Sequence, residues 1–324
     1  MEKCIYCNSP NNLTDSHIIP EGLGSKLKLP KSVCHECNAF IGRTIEAKIC
    51  SDFSFYRFLA QIETKKGKDV TTPGDLEILG SKVTVQIGEA GIPKFVPPIV
   101  VEQGPPRKFL VLAESPEKLR KYMKQFEKMG IQFETDQATP QDVKVTFTAE
   151  KRYISSHDYL RVMSKIAFEY LCYISPLRAF NTEYAKIKGF IRYGQCTNGK
   201  PARLIFEDRL VNGILSLPFP FHGILLFGYQ KMIGSIISIF GIFYYFVLLN
   251  NDNPSLQDWV RFIYFIPQTK ESRVPILQHD YSLKTIVDLI RISLRDPNVE
   301  QKIQKFSKEK LDVVLKNIRI KKPK

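Results

Sequence analysis

The stretch that decides the fold lies near the start of the chain and reads CIYCNSPNNLTDSHIIPEGLGSKLKLPKSVCHECNAFIGRTIEAKI, residues 4–49. It contains two Cys-x-x-Cys pairs, Cys4 with Cys7 and Cys34 with Cys37. Each pair can present two thiolates from one tight turn, and two such turns complete the tetrahedral Cys₄ shell of a structural Zn²⁺ site. The pattern therefore predicts a zinc ion that stabilises a segment too short to bury a large core of its own.

The remaining three cysteines are isolated, and the chain begins without an apolar stretch of signal-peptide type. Both features predict a cytoplasmic, reducing location. Paired cysteines in such a location are more often metal ligands than disulfides, which agrees with the zinc hypothesis.

Between the two pairs lies His17 in the sequence DSHIIPEGLG, and Asn38 follows the last cysteine of CHEC directly. Together with CIYC before them and Ile45-Glu46 after them, these pieces make residues 4–49 resemble the HNH endonuclease family. The resemblance is to the subgroup whose ββα-metal module is held by two Cys-x-x-Cys knuckles. It implies an enzyme, a hydrolase that cuts phosphodiester bonds.

The resemblance also implies roles for individual residues. His17 matches the general base that takes a proton from the attacking water, a task that suits an imidazole because it titrates near neutral pH. Asn38 matches the residue that helps to hold a single divalent cation, Mg²⁺ or Mn²⁺, which would polarise the scissile phosphate. Glu46 lies where this subgroup carries an acid and is a second candidate ligand. On an unbroken helix it would be rotated from Asn38 by about 80°.

One position departs from the family pattern. Ser16 directly precedes His17, where the family usually has a carboxylate that binds the cation, and a hydroxyl is a poorer ligand for a hard cation. Asp15 would point to the opposite face of a regular strand and could compensate only at a bulge. If the nuclease hypothesis holds, we expect Ser16→Asp or Ser16→Glu to raise cutting. The departure favours an alternative: a zinc-stapled module that binds nucleic acid, or serves as an interaction subunit, and cuts weakly or not at all.

The net charge is +14 at pH 7, from 47 Lys+Arg and 33 Asp+Glu, and this surplus favours a polyanionic partner. Most of it falls in residues 151–200 and 301–324. We therefore expect nucleic acid, DNA in the first place, as the partner. The candidate contact residues are Arg161 and Lys165 on a predicted helix and Arg319, Lys321 and Lys322 in the tail, although the tail could instead serve solubility.

The expected fold class is α+β, with a small zinc-stapled ββα-metal module followed by a larger mixed domain. We place the nuclease module at 1–60, a β-rich segment with one helix at 61–150, and an α+β region with a basic helical C-terminus at 151–324. This last region would recognise the substrate, or bind a regulatory or sensor protein, as in restriction or antiphage defence.

The run from residue 232 to 249 carries no charge, which is near the lower length limit of a membrane span. It is rich in Ile, Phe, Tyr and Val, which suit strands, and it contains Gly241. We interpret it as two buried strands that break near Gly241, with a membrane helix as the alternative, and we expect no membrane partner.

Overall fold

The fold is taken from a computed structural model of the chain. The residues that it describes are 1–60, 62, 71–78, 81–87, 93–94, 99–103, 108–112, 116–128, 145–146, 154–196, 199–214, 220–252, 257–267, 271–273 and 282–317. They contain both helices and antiparallel sheets, so the expected α+β class is confirmed.

The chain divides into two compact units. The first joins Met1–Ile62 to Tyr153–Arg319, and the second consists of Glu63–Arg152 with Ile320–Lys324. The N-terminal segment thus shares one unit with the distant C-terminal half of the chain.

The N-terminal segment begins with two antiparallel strands, β1 (Leu13–His17) and β2 (Lys28–Cys34). A helix follows at once, because Cys34 caps it by accepting a hydrogen bond from the Cys37 backbone N–H at 3.5 Å. Its parts are α1 (His35–Ile41), a π-helical turn (Gly42–Glu46) and α2 (Ala47–Asp52), with α3 (Ser54–Leu59) after it. The order of elements is the expected ββα.

The hairpin has an irregularity directly before the histidine. The register skips between Thr14 and Ser16, so that Asp15 alone lies opposite residues 30–32. Lys31 in this bulge has a positive φ of 40°, and its N–H donates to the Asp15 carboxylate at 3.1 Å. The bulge is therefore in β2, and the carboxylate of Asp15 stabilises it.

The second unit contains a four-stranded sheet in the order β5-β4-β3-β8 and a hairpin of β6 with β7, all antiparallel. Its elements are β3 (Thr72–Ile78), β4 (Ser81–Ile87), β5 (Pro93–Lys94), β6 (Ile99–Gln103), β7 (Lys108–Leu112), α4 (Pro116–Lys128) and β8 (Val145–Thr146).

The C-terminal part of the first unit is built on a six-stranded antiparallel sheet in the order β14-β13-β10-β11-β12-β9. Its elements are α5 (His157–Ile174), α6 (Ala185–Tyr193), β9 (Ala202–Ile205), β10 (His222–Tyr229), β11 (Met232–Ile239), β12 (Phe243–Asn250), β13 (Trp259–Ile266), β14 (Glu271–Arg273), α7 (Leu283–Leu294) and α8 (Val299–Asn317).

The uncharged run at 232–249 forms the hairpin of β11 and β12, which confirms the prediction of two buried strands. The chain reverses at Phe240 and Gly241, with φ values of 57° and 69°. A Cβ on Gly241 would lie 2.4 Å from the Phe221 ring, so the packing requires glycine there, and the positive φ favours it. In the part of the chain that the structure describes, no helix combines the length and apolarity that crossing a membrane requires.

Helix α5 lies between the sheet and the N-terminal segment, in contact with β9 to β12 on one side and with β2 and the π turn on the other. Every residue from Tyr159 to Cys172 is buried as a result. Around it the two parts share one core, in which the Phe53 ring lies 5.7 Å from Phe240 and 5.2 Å from Phe243. Helix α5 can therefore contribute side chains to the region around His17.

Candidate active site

The four cysteines of the two knuckles lie together. Their sulfur atoms are all within 4.8 Å of one another, and Cys7 Sγ is 3.6 Å from Cys34 Sγ. Four sulfurs bound to one Zn²⁺ at about 2.3 Å would be separated by about 3.8 Å, so the cluster fits structural zinc. The hydrogen bond between the Cys4 and Cys37 side chains lowers the pKa of Cys4 and raises that of Cys37, so the two thiols share one proton when no metal is bound. Within the described residues, this is the one group of three or more His, Cys, Asp or Glu side chains placed to hold a metal ion.

His17 ends β1, and about a fifth of its side chain (19%) is exposed. Its Nδ1 is buried and has no hydrogen-bond partner among the described residues, while Nε2 lies 3.7 Å from Glu21 Oε2. Burial lowers the pKa of His17 below its ordinary value of 6.5, and the carboxylate of Glu21 offsets this only in part. The imidazole is therefore neutral at neutral pH, which is the form that accepts a proton.

Asn38 connects α1 to β1. Its Nδ2 donates to Thr14 Oγ1 at 3.0 Å and to the Asp15 carbonyl at 3.1 Å, and the Thr14 hydroxyl donates onward to the Val33 carbonyl at 2.9 Å. The amide nitrogen thus fixes the strand that carries His17. The remaining polar atom of the side chain, Oδ1, is the one that could face a cation.

Ser16, the residue in the place of the family's acid, is buried against a carboxylate from α5. Its hydroxyl lies 2.9 Å from both oxygens of Glu169, and the Tyr6 hydroxyl donates to Glu169 Oε1 at 2.8 Å. Burial raises the pKa of Glu169, and the neighbouring Lys165 opposes this. The sequence analysis missed Glu169. One signal was available: Lys165 and Glu169 are four residues apart in an otherwise apolar stretch, the spacing of an ion pair on a helix.

Glu46 and Lys165 form an ion pair inside the molecule. Lys165 Nζ lies 2.9 Å from Glu46 Oε1 and 3.0 Å from Glu169 Oε2, and it also donates to the backbone carbonyl of His17. Burial lowers the pKa of Lys165, but the carboxylates of Glu169 and Glu46 raise it by more, so the ammonium stays charged. The π turn ends at Glu46, so the predicted rotation from Asn38, which assumed an unbroken α-helix, does not apply.

The two cations of α5 that were predicted to contact nucleic acid are not on the surface. Lys165 is 1% exposed, and Arg161 is buried with its guanidinium donating to the carbonyls of Ile191 and Arg192 at the end of α6. These side chains are occupied by groups of the protein and cannot reach a phosphate without leaving them, so this expectation is corrected. The other candidate contacts, Arg319, Lys321 and Lys322, lie outside the described residues.

Of the two residues predicted to hold the catalytic cation, Asn38 has Oδ1 left for one, but Glu46 and its neighbours do not fit one as they are arranged. The Glu46 carboxylate is paired with an ammonium, the Ser16 hydroxyl donates its proton to Glu169, and Asp15 is held in the bulge. A divalent cation at these carboxylates would have to displace Lys165. The described arrangement therefore offers a neutral imidazole as a base, beside two carboxylates that are both paired with the ammonium of Lys165.

A family model described as HNH endonuclease matches residues 4–54. No curated protein matched this chain, and no solved structure did. The matched segment includes both knuckles, His17, Asn38 and Glu46, and it coincides with the ββα arrangement described above. The resemblance seen in the sequence is thus confirmed for this segment: residues 4–54 are similar to the HNH endonuclease family, which supports a nuclease-type function in general terms.

Proposed function

We propose that the protein is an endonuclease that hydrolyses phosphodiester bonds in DNA, with His17 as the general base. The observation that supports this best is the neutral, partly exposed imidazole of His17 within a segment that matches HNH endonucleases. A neutral imidazole in such a position can remove a proton from water near pH 7.

The nitrogen that would take the proton is Nε2, because Nδ1 is buried. Once protonated, the ring would carry a positive charge 3.7 Å from the Glu21 carboxylate, which stabilises the imidazolium. Asn38 would keep the base in place by holding β1 through Thr14 and Asp15. In this proposal His17 accepts the proton, Glu21 stabilises the charged ring, and Asn38 positions the strand that carries His17.

The family resemblance also brings a Mg²⁺ or Mn²⁺ ion, which would polarise the scissile phosphate when bound. Asn38 would help to hold this ion, whereas the carboxylates of Glu46 and Glu169 are paired with Lys165. The assay below therefore measures cleavage in the presence of Mg²⁺ or Mn²⁺.

The rest of the chain would recognise the substrate or respond to a regulatory or sensor protein. Two observations support this. The matched segment ends at residue 54 of 324, and helix α5 packs between that segment and a large antiparallel sheet. A small nuclease packed against a larger unit suits controlled cutting, as in restriction or antiphage defence. We propose this role with the nuclease activity.

The test is to incubate the purified protein with plasmid DNA and Mg²⁺ or Mn²⁺, beside His17→Ala. His35→Ala is the matched control, because His35 lies in the second knuckle with an exposed side chain. We expect cutting by wild type and by His35→Ala, and loss of cutting in His17→Ala. Equal cutting by all three proteins would contradict the assignment of the base.

A second candidate function is a nucleic-acid-binding or interaction subunit that cuts weakly or not at all. It is favoured by one observation, that the carboxylates near His17 are paired with Lys165 and Ser16. The same experiment separates the two. A gel shift of intact DNA by wild type and by His17→Ala alike would support binding without cutting.

A further inference from the structure

The ammonium of Lys165 lies among four oxygen atoms from three parts of the chain. Two are carboxylate oxygens, Glu46 Oε1 at 2.9 Å and Glu169 Oε2 at 3.0 Å. The other two are the backbone carbonyls of His17 and Ile18, the second at 3.4 Å. These oxygens belong to the π turn, to α5, and to the end of β1 with the residue after it.

Two carboxylates and two carbonyls are the kind of oxygen donors that a hard divalent cation binds. Here the cation is part of the protein. An ammonium has three N–H donors, which the Glu46 and Glu169 carboxylates and the His17 carbonyl can satisfy, with Ile18 as the most distant partner. A charge as deeply buried as this requires such partners, because leaving it unpaired costs several kcal/mol.

The carboxylate of Glu169 also accepts hydrogen bonds from Ser16 and Tyr6. A carboxylate at position 16 would face Glu169 directly, so the serine and the glutamate complement each other. The acid that the family carries before its histidine is thus replaced, in this chain, by an acid that α5 provides from outside the matched segment.

We propose that Lys165 is a built-in cation of this site: its ammonium occupies the position between Glu46 and Glu169 that a divalent cation would otherwise take. It acts as a positioning residue, because it also holds the backbone carbonyl of His17. The inference deepens the proposed function, since it concerns the same site. It predicts that these two carboxylates bind no divalent cation while Lys165 is present.

The test measures Mn²⁺ binding to the zinc-loaded full chain without DNA, by titration with detection of free Mn²⁺. The decisive variant is Lys165→Met, whose apolar side chain ends one atom earlier than that of lysine, so that the charge is removed and the position of Nζ is vacated. Because Glu46 is partly exposed (19%), the vacated site remains open to Mn²⁺. We expect Lys165→Met to bind Mn²⁺ at least about tenfold more tightly than wild type, and Lys165→Met/Glu169→Gln to lose this gain.

The matched control is Lys48→Met, which removes a lysine that pairs with Asp158 near the surface at 2.7 Å. It should bind Mn²⁺ as wild type does. A folded Lys165→Met that binds Mn²⁺ no better than Lys48→Met would overturn the proposal.

If Lys165→Met does not fold, Glu46→Gln and Glu169→Gln decide in its place. Unchanged Mn²⁺ affinity in both supports the proposal, whereas a tenfold loss in either shows that the carboxylates bind the metal despite Lys165 and overturns it. None of these measurements needs DNA cleavage. A missing nuclease activity beside the expected Mn²⁺ results would therefore contradict the proposed function alone.

Discussion

The hydroxyl of Ser16 donates to a carboxylate 153 residues further along the chain. This contact gives Ser16 a role in the folded protein that its position in the sequence does not indicate. In the sequence, Ser16 is a missing cation ligand; in the folded protein, it is a donor that stabilises the buried Glu169. The expectation that Ser16→Asp or Ser16→Glu would raise cutting therefore has no basis in the folded arrangement, because the new carboxylate would face Glu169.

We predict that Ser16→Asp lowers the free energy of unfolding by about 3 kcal/mol, because it places two carboxylates together in the interior. Part of this loss should return in Ser16→Asp/Glu169→Ser, which exchanges the two side chains. Chemical denaturation measures both variants, with Ser51→Asp at an exposed position as the control. If Ser16→Asp proved as stable as Ser51→Asp, the buried contact would be wrong.

His222 offers a second prediction, about pH. Its ring is fully buried between the Leu23 carbonyl, 2.9 Å from Nε2, and the Phe240 N–H, which donates to Nδ1 at 3.3 Å. Burial lowers the pKa of His222 to about 4 from 6.5. The unfolded chain therefore takes up the proton first as pH falls, and stability present above pH 6.5 is lost towards pH 4.

Between pH 7 and pH 5, this one group should lower the free energy of unfolding by about 2 kcal/mol. The measurement compares the pH dependence of unfolding in the wild type with that in His222→Gln, both zinc-loaded. The wild type should lose more stability than the variant over this range. If the free energy of unfolding fell equally with pH in the two proteins, His222 would not have the lowered pKa.

The chemistry of single residues could be predicted where it depends on local spacing. The Cys-x-x-Cys pairs place four sulfurs in two turns, as the structure confirms, and the order of motifs indicates His17 as the candidate base. Glu169 could not be assigned in this way, since its contact with Ser16 exists only after α5 packs on β2 and the π turn. The spacing of Lys165 and Glu169 indicates an ion pair on one helix, but a long-range hydrogen bond such as that from Ser16 leaves no spacing in the sequence.

At the scale of elements, helix α5 was predicted correctly, but the exposure of its side chains was not. The sequence predicted this helix and placed Arg161 and Lys165 on it as contacts to nucleic acid, which requires exposed side chains. Instead, both sides are covered, and its two cations, Arg161 and Lys165, bind carbonyls or carboxylates of neighbouring elements. Apolar periodicity in a sequence indicates that one face of a helix is apolar. It does not indicate whether charged side chains on the other faces pair with groups in the protein interior.

We predict that Arg161→Ala destabilises the protein by about 2–4 kcal/mol, since the Arg161 guanidinium satisfies carbonyls at the end of α6. Its affinity for DNA should not change at a fixed salt concentration. Arg203→Ala, at an exposed position of β9, is the control for loss of a positive charge. A folded Arg161→Ala variant with weakened DNA binding and unchanged stability would show that Arg161 contacts nucleic acid at the surface after all.

The hairpin of β11 and β12 was easier to predict than α5. Its β-branched and aromatic composition and its central glycine are local properties, and they are enough to favour strands over a membrane helix. The positive φ of Gly241 and the proximity of Phe221 explain why the break falls there.

For the whole molecule, the main result is that the N-terminal segment packs into one unit with residues 153–319. Composition along the chain indicates where one segment differs from the next, and from it the α+β class could be predicted. It does not indicate which distant segments share a core. That the site contains a helix from the other half of the chain could therefore be learned only from the structure.

We predict that Cys34→Ser releases zinc and lowers the Tm by more than about 10 °C, because the metal joins the two ends of the hairpin segment that packs on α5. Cys196→Ser is the matched control, since Cys196 is exposed and lies outside the cluster. Elemental analysis and thermal unfolding measure the two effects. Wild-type protein without zinc after purification in the absence of chelators would contradict the structural site.

The most direct test of the account is the single-turnover rate of DNA cleavage by the zinc-loaded protein and by its histidine variants. The central claim is that His17 is the base of an HNH nuclease. It predicts a rate at least about 100-fold lower in His17→Ala than in wild type, with His35→Ala unchanged. Cleavage at the same rate in wild type and His17→Ala, with both proteins folded and zinc-loaded, would contradict the claim.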